Sequence, residues 1–151
     1  MKQLKILILA VATVALAATS FAADTGTVNV SATVLGTCVF NTSTATLSFG
    51  TLDPIAAPAV PATASLNYTC SNGTPFTVTH SSTNGGTLNG GVTGGTIPYT
   101  YTADGDATGT YAGVGTGLPV NLVVNGLIAA GTYAGSLADL YTDVITVDIT
   151  P

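Results

Sequence analysis

Apolar and polar residues alternate along most of this chain with a period of two, the spacing that places every second side chain on one face of a β-strand. Residues 27–34 alternate cleanly, with Val28, Val30, Ala32 and Val34 on one face. Residues 46–49 predict a short strand ended by Gly50. Residues 65–70 alternate again, Asn72-Gly73 is a turn signal, and residues 75–80 return as the next strand. Residues 97–101 and 118–124 predict two more, and residues 143–150 close the chain with Val and Ile on alternate positions. No amphipathic helix is evident. Short strands separated by turns predict an all-β sandwich or barrel. Two segments interrupt the pattern. Residues 55–61 hold Pro58 and Pro61 and are predicted not to pair centrally. Residues 81–96, with Gly85-Gly86, Gly90-Gly91 and Gly94-Gly95, predict a mobile loop.

The first strand is the unusual one. Only Leu35-Gly36-Thr37 separates it from the first cysteine. Terminal segments are ordinarily polar and loose, whereas this one has an apolar face that must be buried. It serves either as the first strand of its own sandwich or as a strand completing another molecule; both demand the same alternation.

The chain opens with a basic stretch containing Lys2 and Lys5, an apolar run over residues 6–18, and small residues at Ser20 and Ala22. This predicts a secretory signal over residues 1–22, cleaved after Ala22. The run is shorter than the ~20 residues a membrane span needs, so no membrane insertion is expected of the mature chain. Both lysines fall within the signal and there is no arginine, so cleavage takes the net charge from −5 to −7. Without cations the chain cannot release phosphate counterions, which excludes nucleic acid as a partner.

Cys38 and Cys70, in a chain addressed to an oxidising compartment, are expected to form a disulfide. Two thiols and one distant histidine fall short of a zinc site, and no metal or other cofactor is expected. His80 reads as a solvated strand-end residue; one histidine among many serines is no catalytic triad, so the chain is not expected to be an enzyme. Asp104-Gly105-Asp106 reads as a surface turn, since a calcium loop needs further oxygen ligands and a closing Glu, and the chain has no Glu.

The order of short motifs resembles the spore coat U domain family, the pilin-like subunits of archaic chaperone–usher fibres. The match begins at Val30-Ser31-Ala32-Thr33-Val34-Leu35-Gly36-Thr37-Cys38. Phe49, Gly50, Asp53 and Pro54 are similar to the family's Phe-Gly-x-x-Asp-Pro element. Residues 66–76 resemble the second cysteine with its turn and following strand. Tyr99-Thr100-Tyr101 with Asp104 is similar to a mid-chain tyrosine element, Asn125-Gly126-Leu127-Ile128 to a later glycine turn, and Tyr141 and Asp143 to the closing Tyr-x-Asp strand. There are departures: tryptophan is absent, Tyr111-Ala112-Gly113 stands where a Trp-Gly pair is usual, and Asp139 replaces a glycine. Gly131-Thr132-Tyr133 offers a second copy of the closing pattern upstream.

The resemblance implies an immunoglobulin-like sandwich over residues 37–151 that lacks its last strand, preceded by a donor strand over residues 23–36. It implies a structural subunit of a surface fibre, supporting adhesion or biofilm formation. Its partners would be a periplasmic chaperone, an outer-membrane usher and neighbouring copies joined head to tail. The chain would pass through the periplasm and end in a fibre or coat on the cell surface. The alternative is a monomeric coat protein or adhesive module with a self-contained sandwich.

Overall fold

A computed structural model describes residues 24–104 and 109–151, so the predicted signal over residues 1–22 lies outside the described residues. The described chain is all-β. Its strands are β1 (Cys38–Thr42), β2 (Val60–Cys70), β3 (Pro75–Ser82), β4 (Thr87–Gly90) and β5 (Thr96–Pro98), then β6 (Thr100–Ala103), β7 (Thr110–Val114), β8 (Val120–Ile128), β9 (Tyr141–Thr142) and β10 (Ile145–Thr150). They form three antiparallel sheets ordered β1-β2-β8-β6, β10-β3-β7 and β5-β4-β9.

The first two sheets enclose one core. Tyr68 and Cys70 of β2, Leu122 and Val124 of β8 and Ala103 of β6 pack against Phe76 and Val78 of β3. Period two explains the membership: the inward residues of β8 are Leu122, Val124, Gly126 and Ile128, while Asn121, Asn125 and Leu127 face out. A second core joins Ile97, Tyr99, Ile128, Ala57 and Tyr133. Tyr133 is 1% exposed, and its hydroxyl donates to the Pro58 carbonyl at 2.9 Å. Such a partner is what makes burying a phenol tolerable. On the outer face of the first sheet, Asn67 joins Asn41 of β1 to Asn121 of β8 through side-chain amides.

Several expectations need correcting. Residues 27–34 form no strand: residues 24–37 carry no regular structure, because a strand exists only through a ladder partner. Residues 46–49 are irregular as well, although Leu47 and Phe49 pack against the two cores. Pro61 does lie in a paired strand, opposite Leu127. The pairing is compatible with proline because β1 reaches only from Cys70 to Asn67, leaving β2 an edge at Pro61.

The glycine-rich segment holds an ordered strand, β4, with Leu88 opposite Ile97; positive φ at Gly85, Gly86 and Gly94 makes its turns. Residues 97–101 are not one strand: β5 and β6 enter different sheets on either side of Tyr99. Asn125-Gly126-Leu127-Ile128 is no turn but the end of β8. Glycine is needed at 126 for space, since a Cβ there would lie 2.8 Å from Leu47 Cδ2 and 2.9 Å from Phe49 Cζ. His80 is not solvated. β3 runs on to Ser82, so His80 falls on the same inward face as Phe76 and Val78. It is 7% exposed and lies edge-on to Tyr101 at 5.5 Å.

Candidate functional site

The sheet β10-β3-β7 ends at β10. All six residues of β10 pair with β3, from Ile145 opposite Ser82 to Thr150 opposite Thr77. Among the described residues no strand pairs with its other side. An edge of this kind carries a row of backbone donors and acceptors ready for another chain. Its inward side chains, Ile145, Val147 and Ile149, are only half-buried, whereas Val78 on the adjacent β3 is fully buried. β1, the edge strand of the facing sheet, approaches β10 here. Phe40 of β1 and Leu47 are likewise half-buried against the same core. The site is therefore an apolar strip, or shallow trough, of half-buried side chains beside an unpaired strand edge, an arrangement suited in general to extended segments with alternating apolar side chains.

The lower end of β10 is held by Asp143. Its Oδ2 accepts hydrogen bonds from the Ser82 hydroxyl and, at 2.7 Å, from the Tyr99 hydroxyl. Its Oδ1 accepts from Val144 N at 2.8 Å and Asn84 N at 3.1 Å. Burial pushes the carboxyl pKa up, but these donors outweigh it and leave the pKa below the usual carboxylate value. The Tyr99 phenol is driven well above its ordinary range by burial and by the Asp143 carboxylate it serves.

The other family-motif residues are structural too. Asp53 Oδ1 accepts from Ile55 N at 2.9 Å and its carbonyl from Ala57 N at 2.8 Å, closing the turn that begins at Pro54. Gly50 has φ +71°, and Phe49 sits edge-on to Tyr99 at 5.8 Å. The Tyr141 hydroxyl donates to the Leu137 carbonyl at 3.0 Å.

Asp139, the departure from the family glycine, has a local role. Its Oδ2 accepts from Thr93 N, Thr93 Oγ1 and Val92 N at 2.7, 2.8 and 2.9 Å. The Thr93 amide first, then Val92 N and the Thr93 hydroxyl, lower its pKa to about 2. Asp104 accepts from Val123 N at 2.7 Å and the Tyr111 hydroxyl at 2.8 Å; Gly105 and Asp106 lie outside the described residues.

Cys38 and Cys70 face each other in the β1–β2 register and form the disulfide. The four residues expected of the donor strand are all exposed, Val28 by 86%, Val30 and Val34 by 90%, with Ala32 exposed as well. The sequence reading did not group the half-buried apolar residues Phe40, Leu47, Ile145, Val147 and Ile149. Their only signal was the strong alternation of the closing strand. It also missed Ser82 and Tyr99 as partners of Asp143, which are distant in sequence.

The sequence profile of the Spore Coat Protein U domain matches residues 24–148. A search of the curated proteins finds no match. Among solved structures, the chain is similar to one in the CsuC–CsuE chaperone–tip adhesion subunit pre-assembly complex from archaic chaperone–usher Csu pili of Acinetobacter baumannii. Identity is 22% and the TM-score 0.50 over 78% of this chain, which spans 40% of that one. At that identity the likeness is one of fold.

Proposed function

Because this chain belongs to the Spore Coat Protein U domain family, we propose that it is a non-enzymatic structural subunit of a secreted surface fibre, assembled by strand donation. The domain over residues 37–151 offers the trough beside β10, and the segment over residues 23–36 of the next copy fills it with Val28, Val30, Ala32 and Val34. The observation that carries the reading is the half-buried apolar face of β10 next to an unpaired backbone edge. Residues i and i+2 share a face, so the four side chains can enter successive positions along the trough. Burying them contributes roughly 6–10 kcal/mol at a few kcal/mol per branched residue. Head-to-tail donation does not close on itself and builds a filament.

Before donation, a periplasmic chaperone covers the trough, and exchange takes place at an outer-membrane usher. The fibre serves adhesion or biofilm formation at the cell surface. The test is surface-extracted protein run unboiled on a denaturing gel, with addition of a peptide covering residues 25–35 to the chaperone-bound subunit. A ladder of multimers, and a peptide that displaces the chaperone and raises the melting temperature, are the expected results. A stable monomer that ignores the peptide overturns the proposal in favour of a monomeric coat protein or adhesive module.

A further inference from the structure

The path of the chain just before β1 is held at two points. Ser71 N donates to the Thr37 carbonyl at 2.8 Å. Ser71 Oγ lies 3.3 Å from Thr37 N, which donates to it, and 3.1 Å from Thr37 Oγ1. One residue earlier, Gly36 rests on Thr74 so closely that a Cβ would lie 2.7 Å from both Cγ2 and Oγ1 of that threonine. Thr74 is itself buried and fixed: its carbonyl accepts from Gly115 N at 2.7 Å and its amide donates to the Ser71 carbonyl at 3.0 Å. The turn that grips residues 36 and 37 is therefore anchored on its far side as well.

This grip sets a direction. Cys38 pairs with Cys70 and the ladder runs on to Thr42 opposite Asn67, so β1 heads away from the β2–β3 turn. Gly36 and Thr37 continue past that turn. The open edge of β10 has its Thr150 end at the same end of the molecule, because Thr150 pairs with Thr77 near the start of β3. To enter its own trough, the chain would have to turn back before Gly36, and glycine is the residue that most widens the choice of tight turns. Gly36 is the only glycine between Val34 and Cys38, and it is committed to the contact with Thr74.

We infer that Gly36, Thr37, Ser71 and Thr74 form an exit clamp that keeps the donor segment out of the chain's own trough and directs it to a second copy. The inference rests on the strand-donation reading above. Ser71 and Thr74 are thus positioning residues for assembly, and neither lines the trough.

The test compares three full-length exported proteins: the wild type, Ser71→Ala/Thr74→Ala, and a chain with four glycines inserted between Val34 and Leu35. The readouts are the unboiled gel and uptake of a labelled peptide covering residues 25–35. The double variant releases the Ser71 Oγ bonds to Thr37 and the Thr74 packing on Gly36, and the monomer-to-multimer ratio changes by about tenfold or more. The expected product in both variants is a folded monomer that refuses the peptide, because its own strand fills the trough. If the double variant polymerises as the wild type does, or only the insertion yields such monomers, the clamp is wrong and donation stands. Monomers that accept the peptide have an empty trough and also overturn the clamp. Should the double variant lack its disulfide, Ser71→Ala alone is read in its place: an unchanged ladder overturns the clamp, a peptide-refusing monomer supports it. A wild type that gives no ladder and ignores the peptide overturns donation itself.

Discussion

Replacing Val30 with Asp separates the two faces of the donor segment, because Ser31 beside it supplies the control. Val30 is 90% exposed in the free chain, so its substitution removes nothing from the chain's own core and leaves subunit stability unchanged. In the trough the same side chain would be buried, a gain of about 1.5–3 kcal/mol for a valine. Val30→Ala removes two methyl groups at about 0.8 kcal/mol each, so its binding weakens about tenfold. Val30→Asp loses the whole apolar gain and adds the cost of an unpaired buried carboxylate. The sum is about 5 kcal/mol or more, a loss of roughly three to four orders of magnitude. Ser31→Asp points away from the trough and changes affinity by less than about threefold. The assay is competition of peptides covering residues 25–35 for the chaperone-bound subunit, backed by unboiled gels of the full-length variants. Equal losses for Val30→Asp and Ser31→Asp would refute the reasoning, since a mere charge effect has no face.

Further outcomes follow from the staple, the carboxylates and the leader. Cys38→Ala removes the disulfide and should lower stability by about 2–5 kcal/mol with reduced surface yield, measured by denaturant titration; an unchanged midpoint contradicts the role given to it. Asp139 and Asp143 both have lowered carboxyl pKa values in the folded chain. Their contribution is complete above the ordinary carboxylate pKa of about 4 and fades as pH falls through the folded value, which for Asp139 is about 2. The melting temperature should decline as pH is lowered from about 4 towards 2, and Asp139→Asn should flatten that decline; a variant curve parallel to the wild type counts against it. The exported protein should begin at Ala23 and resist trypsin throughout, because both lysines precede that point. Mass spectrometry showing residues 6–18 retained would contradict the secretory reading.

The strands that were legible in the sequence are those whose alternation is unbroken. β2, β8 and β10 each carry three or more inward apolar residues at period two, β3 carries Phe76 and Val78 after a turn signal, and their existence followed from pattern alone. β4 was not legible because Thr87-Leu88-Asn89-Gly90 has one apolar residue and sits among glycines; its pairing with Ile97 and Tyr141 comes from tertiary context. The division at Tyr99 was invisible for a related reason: residues 97–101 alternate like one strand despite Pro98, and only the sheets on either side determine that the chain changes partner there. His80 was misplaced because the strand was ended at it, whereas β3 runs on to Ser82 and holds His80 inside the sheet on the face of Val78. The spacing of Val28, Val30, Ala32 and Val34 was plain in the sequence, whereas the half-buried apolar residues proposed to receive them come from β1, β10 and the segment around Leu47. Nothing local announces that such distant segments meet, or that Ser82 and Tyr99 converge on Asp143.

The position of the disulfide has a mechanical consequence. A pull on the chain at Thr37 arrives first at β1, a five-residue edge strand with an irregularity between Phe40 and Thr42. Hydrogen bonds alone would let such a strand peel away one rung at a time. The covalent link at Cys38, at the loaded tip of β1, passes the tension directly to Cys70, the end of β2. β2 is held to β8 over nine residue pairs, and a load along its axis strains those rungs together rather than in turn. In a filament drawn taut through its donor segments, each subunit would then resist in shear instead of unzipping.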